Sequence, residues 1–279
     1  MIYGLTRVRR RVRHSEGDAS LPKLAVIVAA RDEEEQLPVL IEALSAQDYP
    51  ADLVSFWLVD DDSRDGTFLV AEKAAKRDPR FHALRSDGSL PIPSPKKRAL
   101  HTGILQADAE WIVTTDADCT PPPSWLRGLA AFMLPENGAV VGYAPLTGGR
   151  SPLEFLAMGE SWSAAALAAA GIGLDYPFTA FGRNFAFRRD VYLDLGGYGA
   201  GGAYASGDDD LFLQSIAART NWRIAFAADP RAVVPSLVNP GGRVLSAKAR
   251  HLSVGTHYAP GWILLGGIGS LLFMGLALV

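Results

Sequence analysis

Three clusters of aspartate carry the side chains in this sequence that are best suited to chemistry. Asp116 and Asp118 are two residues apart, directly after the apolar run Trp111–Thr115. Residues two apart on a strand point to the same side, and two carboxylates there can hold a divalent cation. Hard oxygen ligands suit Mg²⁺ or Mn²⁺. Caps and turns use the same Asp-x-Asp pattern, but the apolar run before it favours a metal site.

The second cluster is Asp60, Asp61 and Asp62, which ends another apolar run. Capping of the next helix explains Asp62 and the nearby Asp65. Capping explains Asp60 and Asp61 less well, because an unpaired charge at the end of a buried strand is costly. The pattern therefore favours a functional role for these two carboxylates.

The third cluster is Asp208, Asp209 and Asp210, which follows the glycine-rich stretch Gly196–Gly207. Negative charge is favourable at a helix N-terminus, so capping alone explains one or two of them. Three adjacent carboxylates also repel one another, which raises the pKa of at least one and suits a general base. The residues alone leave the base and the cap equally open.

The segments that must position these clusters alternate between strand and helix patterns. The predicted strands are Leu24–Ala30, Leu53–Val59, Phe81–Leu84 and Trp111–Thr115, and the predicted helices are Gln36–Gln47, Thr67–Arg77 and Lys96–Ala107. A spacing of about 30 residues per unit is typical of βαβ crossovers, so we expect an α/β fold with a mostly parallel sheet. Ligands bind such sheets at the carboxyl ends of the strands, where the first two clusters lie.

The pattern loosens after Pro121–Pro123. Ser151–Leu174 is rich in alanine but interrupted by two glutamates, so we expect a helix that packs on the core or lies at a membrane surface. Asn184–Arg188 predicts a short strand, and Asp208–Arg219 predicts a helix with acids in its first turn.

The two ends of the chain differ from its middle. Residues 1–14 hold five arginines and no acid, which suits either a solvated tail or contact with anionic lipid. Residues 259–279 carry no charge and reach the roughly 20 apolar residues of a bilayer span. We expect a basic segment over 1–22, a globular domain over 23–240, a basic amphipathic segment over 241–258 and a transmembrane helix over 259–279.

Composition argues against several classes of protein. The 279 residues include a single cysteine, Cys119, which excludes a disulfide framework and a cysteine-based zinc site. The net charge of -3 argues against a nucleic-acid polymer as partner. The sequence has neither a Gly-x-Ser-x-Gly elbow nor a Walker-type phosphate loop.

Six segments, in order, resemble the family 2 glycosyltransferases, which are inverting enzymes with the GT-A fold. The segments are Val26–Glu35, Val59–Thr67, Lys96–Leu100, Thr115–Asp118, Phe181–Arg189 and Gly207–Leu211. The resemblance covers about residues 23–258. It implies transfer of a sugar from a nucleotide-diphospho-sugar donor to a hydroxyl group.

The resemblance also implies roles for individual residues. The nucleotide-sugar is expected to contact Ala30, Arg31, Glu33, Asp61, Lys96 and Asp116. The diphosphate or the acceptor is expected to contact Gly182, Asn184, Arg250 and His251. Asp118, with Asp116, is expected to hold Mg²⁺ or Mn²⁺. Asp209 is expected to be the catalytic base, with Asp208 and Asp210 as alternatives in register.

With the predicted span, the resemblance implies a lipid-linked or glycan acceptor at the cytoplasmic face of the inner membrane. Lys248–His251 is similar to a region of processive polysaccharide synthases, but Ala247 and His251 replace its glutamine and tryptophan, which disfavours long-chain synthesis. A sugar-phosphate nucleotidylyltransferase needs a basic glycine-rich loop after the first strand, and Ala29–Glu35 is acidic instead. A non-catalytic sugar-binding scaffold has no need for both the Asp116 pair and the Asp208–Asp210 cluster.

Overall fold

A seven-stranded sheet forms the centre of the computed structural model, which describes residue 4 and residues 21–198, 207 and 209–238. Its strands are β1 (Leu24–Ala30), β2 (Val54–Asp60), β3 (Phe81–Arg85), β4 (Trp111–Asp116), β5 (Asn137–Gly142), β7 (Phe185–Arg188) and β8 (Arg223–Ala227). They lie in the order β3-β2-β1-β4-β7-β5-β8. Strand β7 runs antiparallel to both its neighbours, and the other pairs in this sheet are parallel.

Helices cover both faces of the sheet. They are α1 (Leu37–Ser45), α2 (Thr67–Arg77), α3 (Pro95–Gln106), α4 (Trp125–Ala130), α5 (Pro152–Gly173), α6 (Arg189–Asp194) and α7 (Asp210–Arg219). A short 3-10 helix, Pro230–Ala232, precedes β9 (Ser236–Leu237), which pairs with β6 (Leu146–Thr147) in a separate small sheet. The mostly parallel α/β architecture expected from the sequence is confirmed.

The central strands are continuous apolar runs because helices bury them from both sides. Successive residues of β1 alternate between two cores: Val26 packs with Leu40 of α1, and Ile27 packs with Ile104 of α3. Burial of this kind is worth about 25 cal/mol per Å² of apolar surface, so packing on both faces stabilises β1 between β2 and β4. Gly103 of α3 approaches Ile27 so closely that a Cβ atom there would displace it.

The register of the strands brings their polar ends together. Ala30 at the end of β1 pairs with Asp60 of β2, and Ala29 pairs with Asp116 of β4. The chain therefore leaves β1, β2 and β4 at nearly the same level. Everything that follows these three strands lies along one edge of the sheet, which we call the carboxyl edge.

Helix α5 is continuous for 22 residues. It begins with a capping box in which Ser151 and Glu154 bind each other's backbone N–H groups. Within the described part of the chain, it is the one helix long and apolar enough to cross a membrane, a property that core helices of soluble proteins share. Its inner face is buried at Ser161, Ala165 and Ala168.

The predicted segments 1–22, 241–258 and 259–279 lie almost entirely outside the described residues, so these divisions of the chain remain predictions. The same is true of three predicted site residues: Asp208, Arg250 and His251.

Candidate active site

The loops after β1 and β2 are locked together by hydrogen bonds. The N–H of Asp32 donates to Ser63 Oγ at 3.0 Å, and the N–H of Arg64 donates to Asp32 Oδ1 at 2.8 Å. One residue pair further on, the N–H of Gly66 donates to Glu34 Oε2 at 2.9 Å. A Cβ atom on Gly66 would force this carboxylate to move. The loop that carries the predicted donor contacts is therefore held against the turn that directly follows the Asp60–Asp62 cluster.

Two residues of the first loop flank this junction. Ala30 is buried, and its carbonyl accepts the N–H of Asp61 at 2.8 Å. Glu33 is partly buried, and its N–H donates to Thr67 Oγ1 at 2.8 Å. Arg31 is exposed between them, with Nη1 4.0 Å from Asp61 Oδ2. The structure thus brings together four predicted donor residues, Ala30, Arg31, Glu33 and Asp61, at the ends of β1 and β2.

Asp61 is an almost completely buried carboxylate, with 4% of its surface exposed. Arg98 forms an ion pair with it, with Nη2 3.6 Å from Asp61 Oδ1. Burial raises the pKa of Asp61, and the charges of Arg98 and Arg31 offset this rise only in part. Among the described residues, none hydrogen-bonds to its Oδ1 atom. Buried polar atoms are nearly always satisfied, so this oxygen is well placed to accept an N–H group of a ligand.

Asp60 has a structural explanation. It lies on the last residue of β2 opposite Arg85 of β3, and Arg85 Nη1 is 3.2 Å from Asp60 Oδ2. The Arg85 guanidinium also stacks on Phe68, 3.8 Å from the ring centre. A neighbour on the adjacent strand therefore offsets part of the cost of burying Asp60, although its Oδ1 is buried and accepts no hydrogen bond from the described residues.

At the end of β4, one cation lies beside two carboxylates. Lys96 Nζ donates to Asp116 Oδ1 at 2.8 Å. The pKa of Asp118 is raised, mainly by burial and then by repulsion from Asp116, while Arg183 and Lys96 lower it. Two carboxylates that repel each other in a partly dry site favour an added positive charge.

The carboxylates of Asp116 and Asp118 fit a metal ion that takes its other ligands from a bound substrate. Across the residues that the structure describes, His, Cys, Asp and Glu form no group of three or more that could hold a metal by itself. Mg²⁺ is usually bound through one or two carboxylates together with phosphate oxygens of the substrate. Asp116 and Asp118 match that arrangement, with the remaining ligands supplied by a diphosphate and by water.

A short chain of hydrogen bonds joins β4 to the third aspartate cluster. Thr114 Oγ1 donates to the carbonyl of Gly182 at 2.8 Å, and the N–H of Gly182 donates to Asp209 Oδ2 at 2.6 Å. Asp209 also caps α7, because its Oδ1 accepts the N–H of Asp210 at 2.9 Å. Through Gly182, the Asp209 carboxylate is thus tied to Thr114 of β4, which lies two residues before Asp116.

Asp210 holds the loop that precedes Gly182. Its Oδ1 accepts a hydrogen bond from Thr179 Oγ1 at 2.9 Å and another from the N–H of Ala180 at 2.8 Å. Asp209 and Asp210 therefore both orient backbone around the site. Helix α7 begins at Asp210, two residues later than the sequence pattern predicts.

Asn184 lies inside the protein, with no exposed surface. Its Oδ1 accepts from Trp125 Nε1 at 2.9 Å, and its Nδ2 donates to the carbonyls of Tyr143 at 2.9 Å and Ala232 at 2.7 Å. The predicted direct contact with diphosphate or acceptor does not fit this position, because every polar atom of the side chain binds another part of the protein. Asn184 instead positions the segment that carries Gly182.

Two arginines that the sequence reasoning passed over belong to the site. Arg98 flanks Asp61, and Arg183 acts on Asp118 while donating to Ser236 Oγ and to the carbonyl of Ala144. Both lie within segments used for the resemblance, two residues after Lys96 and directly before Asn184. Their charge, in segments already tied to a diphosphate, was the signal that would have identified them.

The mostly parallel α/β sheet, with paired carboxylates at its carboxyl edge, has the architecture expected of a nucleotide-sugar-dependent transferase. Residues 25–196, more than half of the chain, match the family described as Glycosyl transferase family 2. The chain belongs to this family.

Two relatives with similar sequences are a glycolipid synthase and a probable glycosyltransferase. A beta-monoglucosyldiacylglycerol synthase of Synechocystis is 30% identical over 44% of this chain and 26% of its own length. The probable glycosyltransferase YdaM of Bacillus subtilis is 27% identical over 66% of this chain and 44% of its own length. The chain thus spans less than half the length of these two relatives.

Solved structures share the fold. A mannosyltransferase from Pyrobaculum calidifontis, solved in complex with GDP-Man and Mn²⁺, superposes with a TM-score of 0.59. The superposition covers 99% of this chain and 82% of that one, at 21% identity. This likeness confirms the GT-A architecture that the resemblance implied.

Proposed function

We propose that the protein is an inverting glycosyltransferase that moves a sugar from a nucleotide-diphospho-sugar to an acceptor hydroxyl. The observation that carries the proposal is the joining of three aspartate clusters at one edge of the sheet. Ala30 binds Asp61, Ala29 pairs with Asp116, and Gly182 links β4 to Asp209. A fold-only explanation has no need for so many carboxylates at the same edge.

The donor's nucleotide binds where the loops after β1 and β2 meet. Asp61 Oδ1 accepts an N–H group of the base, while Arg31 and Arg98 favour the charged form of the carboxylate against the burial that raises its pKa. Because Asp61 is buried, this hydrogen bond is shielded from water and is correspondingly strong. The likeness of the fold to the mannosyltransferase solved with GDP-Man supports this placement without choosing the base.

The diphosphate lies toward the end of β4. Negative charge builds on the leaving diphosphate as the bond between sugar and phosphate breaks, and Lys96 is placed to neutralise part of it. A bound Mg²⁺ or Mn²⁺ ion supplies further charge neutralisation for the leaving group. Asp118 and Asp116 would hold that ion. Arg250 is proposed to add a further positive charge, and Gly182 and His251 remain proposed contacts of the diphosphate or acceptor.

Asp209 is the proposed general base, with Asp208 and Asp210 as alternatives in register. The acceptor oxygen forms a bond to the anomeric carbon from the face opposite the diphosphate, and the bonding electron pair of the broken C–O bond leaves on the diphosphate. The acceptor proton passes to the carboxylate. Each Asp209 oxygen accepts one backbone N–H, from Gly182 and from Asp210, and these bonds hold the carboxylate in place beside the end of β4. A single displacement inverts the anomeric centre.

We further propose that the acceptor is a lipid-linked or glycan hydroxyl at the cytoplasmic face of the inner membrane. The apolar segment 259–279 and the basic residues on its N-terminal side support this placement, because positive residues remain cytoplasmic. The Synechocystis relative is named for synthesis of a diacylglycerol glycolipid, which is one chemistry of this kind.

A screen of donors tests the first step of this proposal. The full chain is mixed with UDP-, GDP- and dTDP-sugars, each with and without Mn²⁺, and its thermal unfolding is followed. Bound donor raises the apparent melting temperature by mass action, so at least one donor should stabilise the protein in a metal-dependent way. Stabilisation by none of them would contradict the proposal. Release of pyrophosphate instead of a nucleoside diphosphate would favour a nucleotidylyltransferase.

A further inference from the structure

Helix α5 carries two large aromatic side chains that the protein leaves in solvent. Trp162 is 61% exposed and Phe155 is 58% exposed. They are seven residues apart, which is about two helical turns, so both lie on the same side of the helix. The buried positions Ser161, Ala165 and Ala168 follow the spacing of an inner face that packs on the domain. We call the outer side, at Phe155 and Trp162, the aromatic face.

The aromatic face carries little charge. Within α5 the acidic residues are Glu154 and Glu160, and Glu154 is used by the capping box at the start of the helix. Arg150, just before the helix, is exposed. Tryptophan and phenylalanine beside a basic residue are typical of surfaces that enter the headgroup region of a bilayer.

The small sheet beside α5 shows where the chain continues toward its apolar end. The N–H of Val238 donates to the carbonyl of Thr147 at 2.9 Å, so the last described residue is anchored on β6. Leu237 is 67% exposed and approaches Gly148, while Gly149 approaches Met158 of α5. The chain therefore leaves the domain next to the first half of α5.

From Val238 the sequence runs through the basic segment 241–258 into the uncharged segment 259–279. Only about 20 residues separate Val238 from the proposed span, which limits how far the domain can lie from a membrane. A side of the domain that is next to the exit point, apolar and aromatic is the side expected to meet the lipid.

The far end of α5 leads back to the site. Leu174 and Tyr176, which follow the helix, are 45% and 52% exposed. Thr179 and Ala180 follow, held by Asp210. Exposed apolar residues therefore lie on the first half of α5 and just past its last residue, while residues 168–173 between them are buried. The second group lies next to the segment that carries Gly182.

We propose that the aromatic face of α5 is a lipid-docking surface that inserts Phe155 and Trp162 into the headgroup region of an anionic bilayer. The role of this surface in catalysis rests on the proposed membrane acceptor. The surface is a different part of the protein from the predicted span, and it is tested without measuring transfer.

Site-directed fluorescence on the full chain tests the surface. Phe155→Cys and Trp162→Cys are each labelled with an environment-sensitive nitrobenzoxadiazole dye. The native Cys119 is 1% exposed and burial raises its pKa to about 12, so it stays unlabelled in the folded protein. Leu69→Cys on α2 and Leu105→Cys on α3 are matched controls, because these leucines are 52% and 41% exposed on other helices.

Each labelled protein is mixed with phosphatidylglycerol–phosphatidylcholine vesicles with and without doxyl-labelled lipid, and sedimentation measures total binding. We expect the dyes at 155 and 162 to lose at least about half of their emission to the doxyl quencher, and the control dyes to lose little. Equal quenching at all four positions, or none in vesicle-bound protein, would overturn the proposal. So would failure to sediment with vesicles.

Two further results separate the possibilities. A blue-shifted dye at 162 that appears without vesicles and ignores the doxyl lipid would show contact between two copies of the chain, and would overturn the proposal. Donor cleavage is assayed in parallel without vesicles. Cleavage with no quenching would leave the proposed function standing and reject the surface, whereas quenching with no cleavage would do the reverse.

Discussion

Lys96 Nζ donates a 2.8 Å hydrogen bond to Asp116 Oδ1, which ties the first turn of α3 to the end of β4. The pair is only partly exposed, with 40% of the lysine side chain and 30% of the aspartate side chain accessible. Lys96 is therefore positioned to stabilise negative charge that develops on a ligand bound beside these two carboxylates.

Lys96→Met should lower kcat/KM for sugar transfer by about 10² while leaving the fold intact, because it removes one preorganised positive charge from the leaving group. Steady-state kinetics of nucleoside diphosphate release would measure it. Lys23→Met is the matched control, since Lys23 binds Asp108 at 2.6 Å before β4 begins, far from its carboxyl end. An equal loss of activity in both variants would contradict the assignment.

Asp61→Ala should weaken nucleotide binding by about 10-fold or more, and affect turnover of the saturated enzyme less, because it removes a charged hydrogen-bond acceptor for the base. Isothermal titration with the nucleoside diphosphate measures the affinity. Asp52→Ala, at an exposed aspartate ahead of β2, serves as control. Wild-type affinity in Asp61→Ala would show that the base lies elsewhere.

The raised pKa of Asp61 also predicts how stability depends on pH. Burial raises it in the folded protein, so the folded state binds this proton more tightly than the unfolded state. Wild-type stability should therefore fall as pH rises from the unfolded value of about 3.9 through the raised folded value. Asp61→Asn lacks this titration. Urea unfolding at several pH values should show the variant gaining stability relative to wild type as pH rises, and a constant difference would contradict the assigned shift.

The three aspartates of the third cluster should separate by role. Asp209→Asn is expected to reduce transfer by at least about 10² while donor binding persists, since an amide cannot take the acceptor proton. Asp210→Asn keeps an oxygen for Thr179 and Ala180, so it should cost much less. Single-turnover kinetics on Asp208→Asn, Asp209→Asn and Asp210→Asn would compare them. An inactive Asp208→Asn or Asp210→Asn beside an active Asp209→Asn would move the base by one residue.

Asn184→Ala should destabilise the protein by at least about 3 kcal/mol, because it leaves buried partners on three segments unsatisfied. The indole N–H of Trp125 and two carbonyls would each lose a hydrogen bond. Denaturant unfolding measures the loss, with Asn221→Ala at an exposed position as control. A fully stable Asn184→Ala that fails only in catalysis would instead support direct contact with the substrate.

Strands β1, β2 and β4 could be predicted from sequence because each is mostly apolar and largely buried, and β3, which is only partly buried, follows at the same spacing. Strands β5 and β8 were not predicted. Strand β5 begins Asn-Gly and ends in glycine, and glycine is depleted in strands. The structure explains these glycines: a Cβ atom on Gly138 would meet Trp222, and one on Gly142 would meet Asn184. Such close approaches depend on residues far away in sequence.

The site divides in the same way. Asp61, Asp116 and Asp118 were found because carboxylates that follow apolar strands are conspicuous. The positioning role of Asn184 could not be read from its neighbours, because its partners, such as Trp125 and Ala232, come from three other segments. Arg98 and Arg183 look like ordinary surface charges until the fold places them beside Asp61 and Asp118.

The central claim is that Asp118 and Asp116 support metal-dependent cleavage of a nucleotide-sugar. The most direct measurement is nucleoside diphosphate release from the stabilising donor by wild-type protein and by Asp118→Asn, each in Mn²⁺ and in EDTA. Asp108→Asn, at an exposed carboxylate before β4, is the control. We expect release by wild type and by the control in Mn²⁺ alone, and a loss of at least about 10² in Asp118→Asn. Equal, metal-independent release by all three proteins would contradict the account.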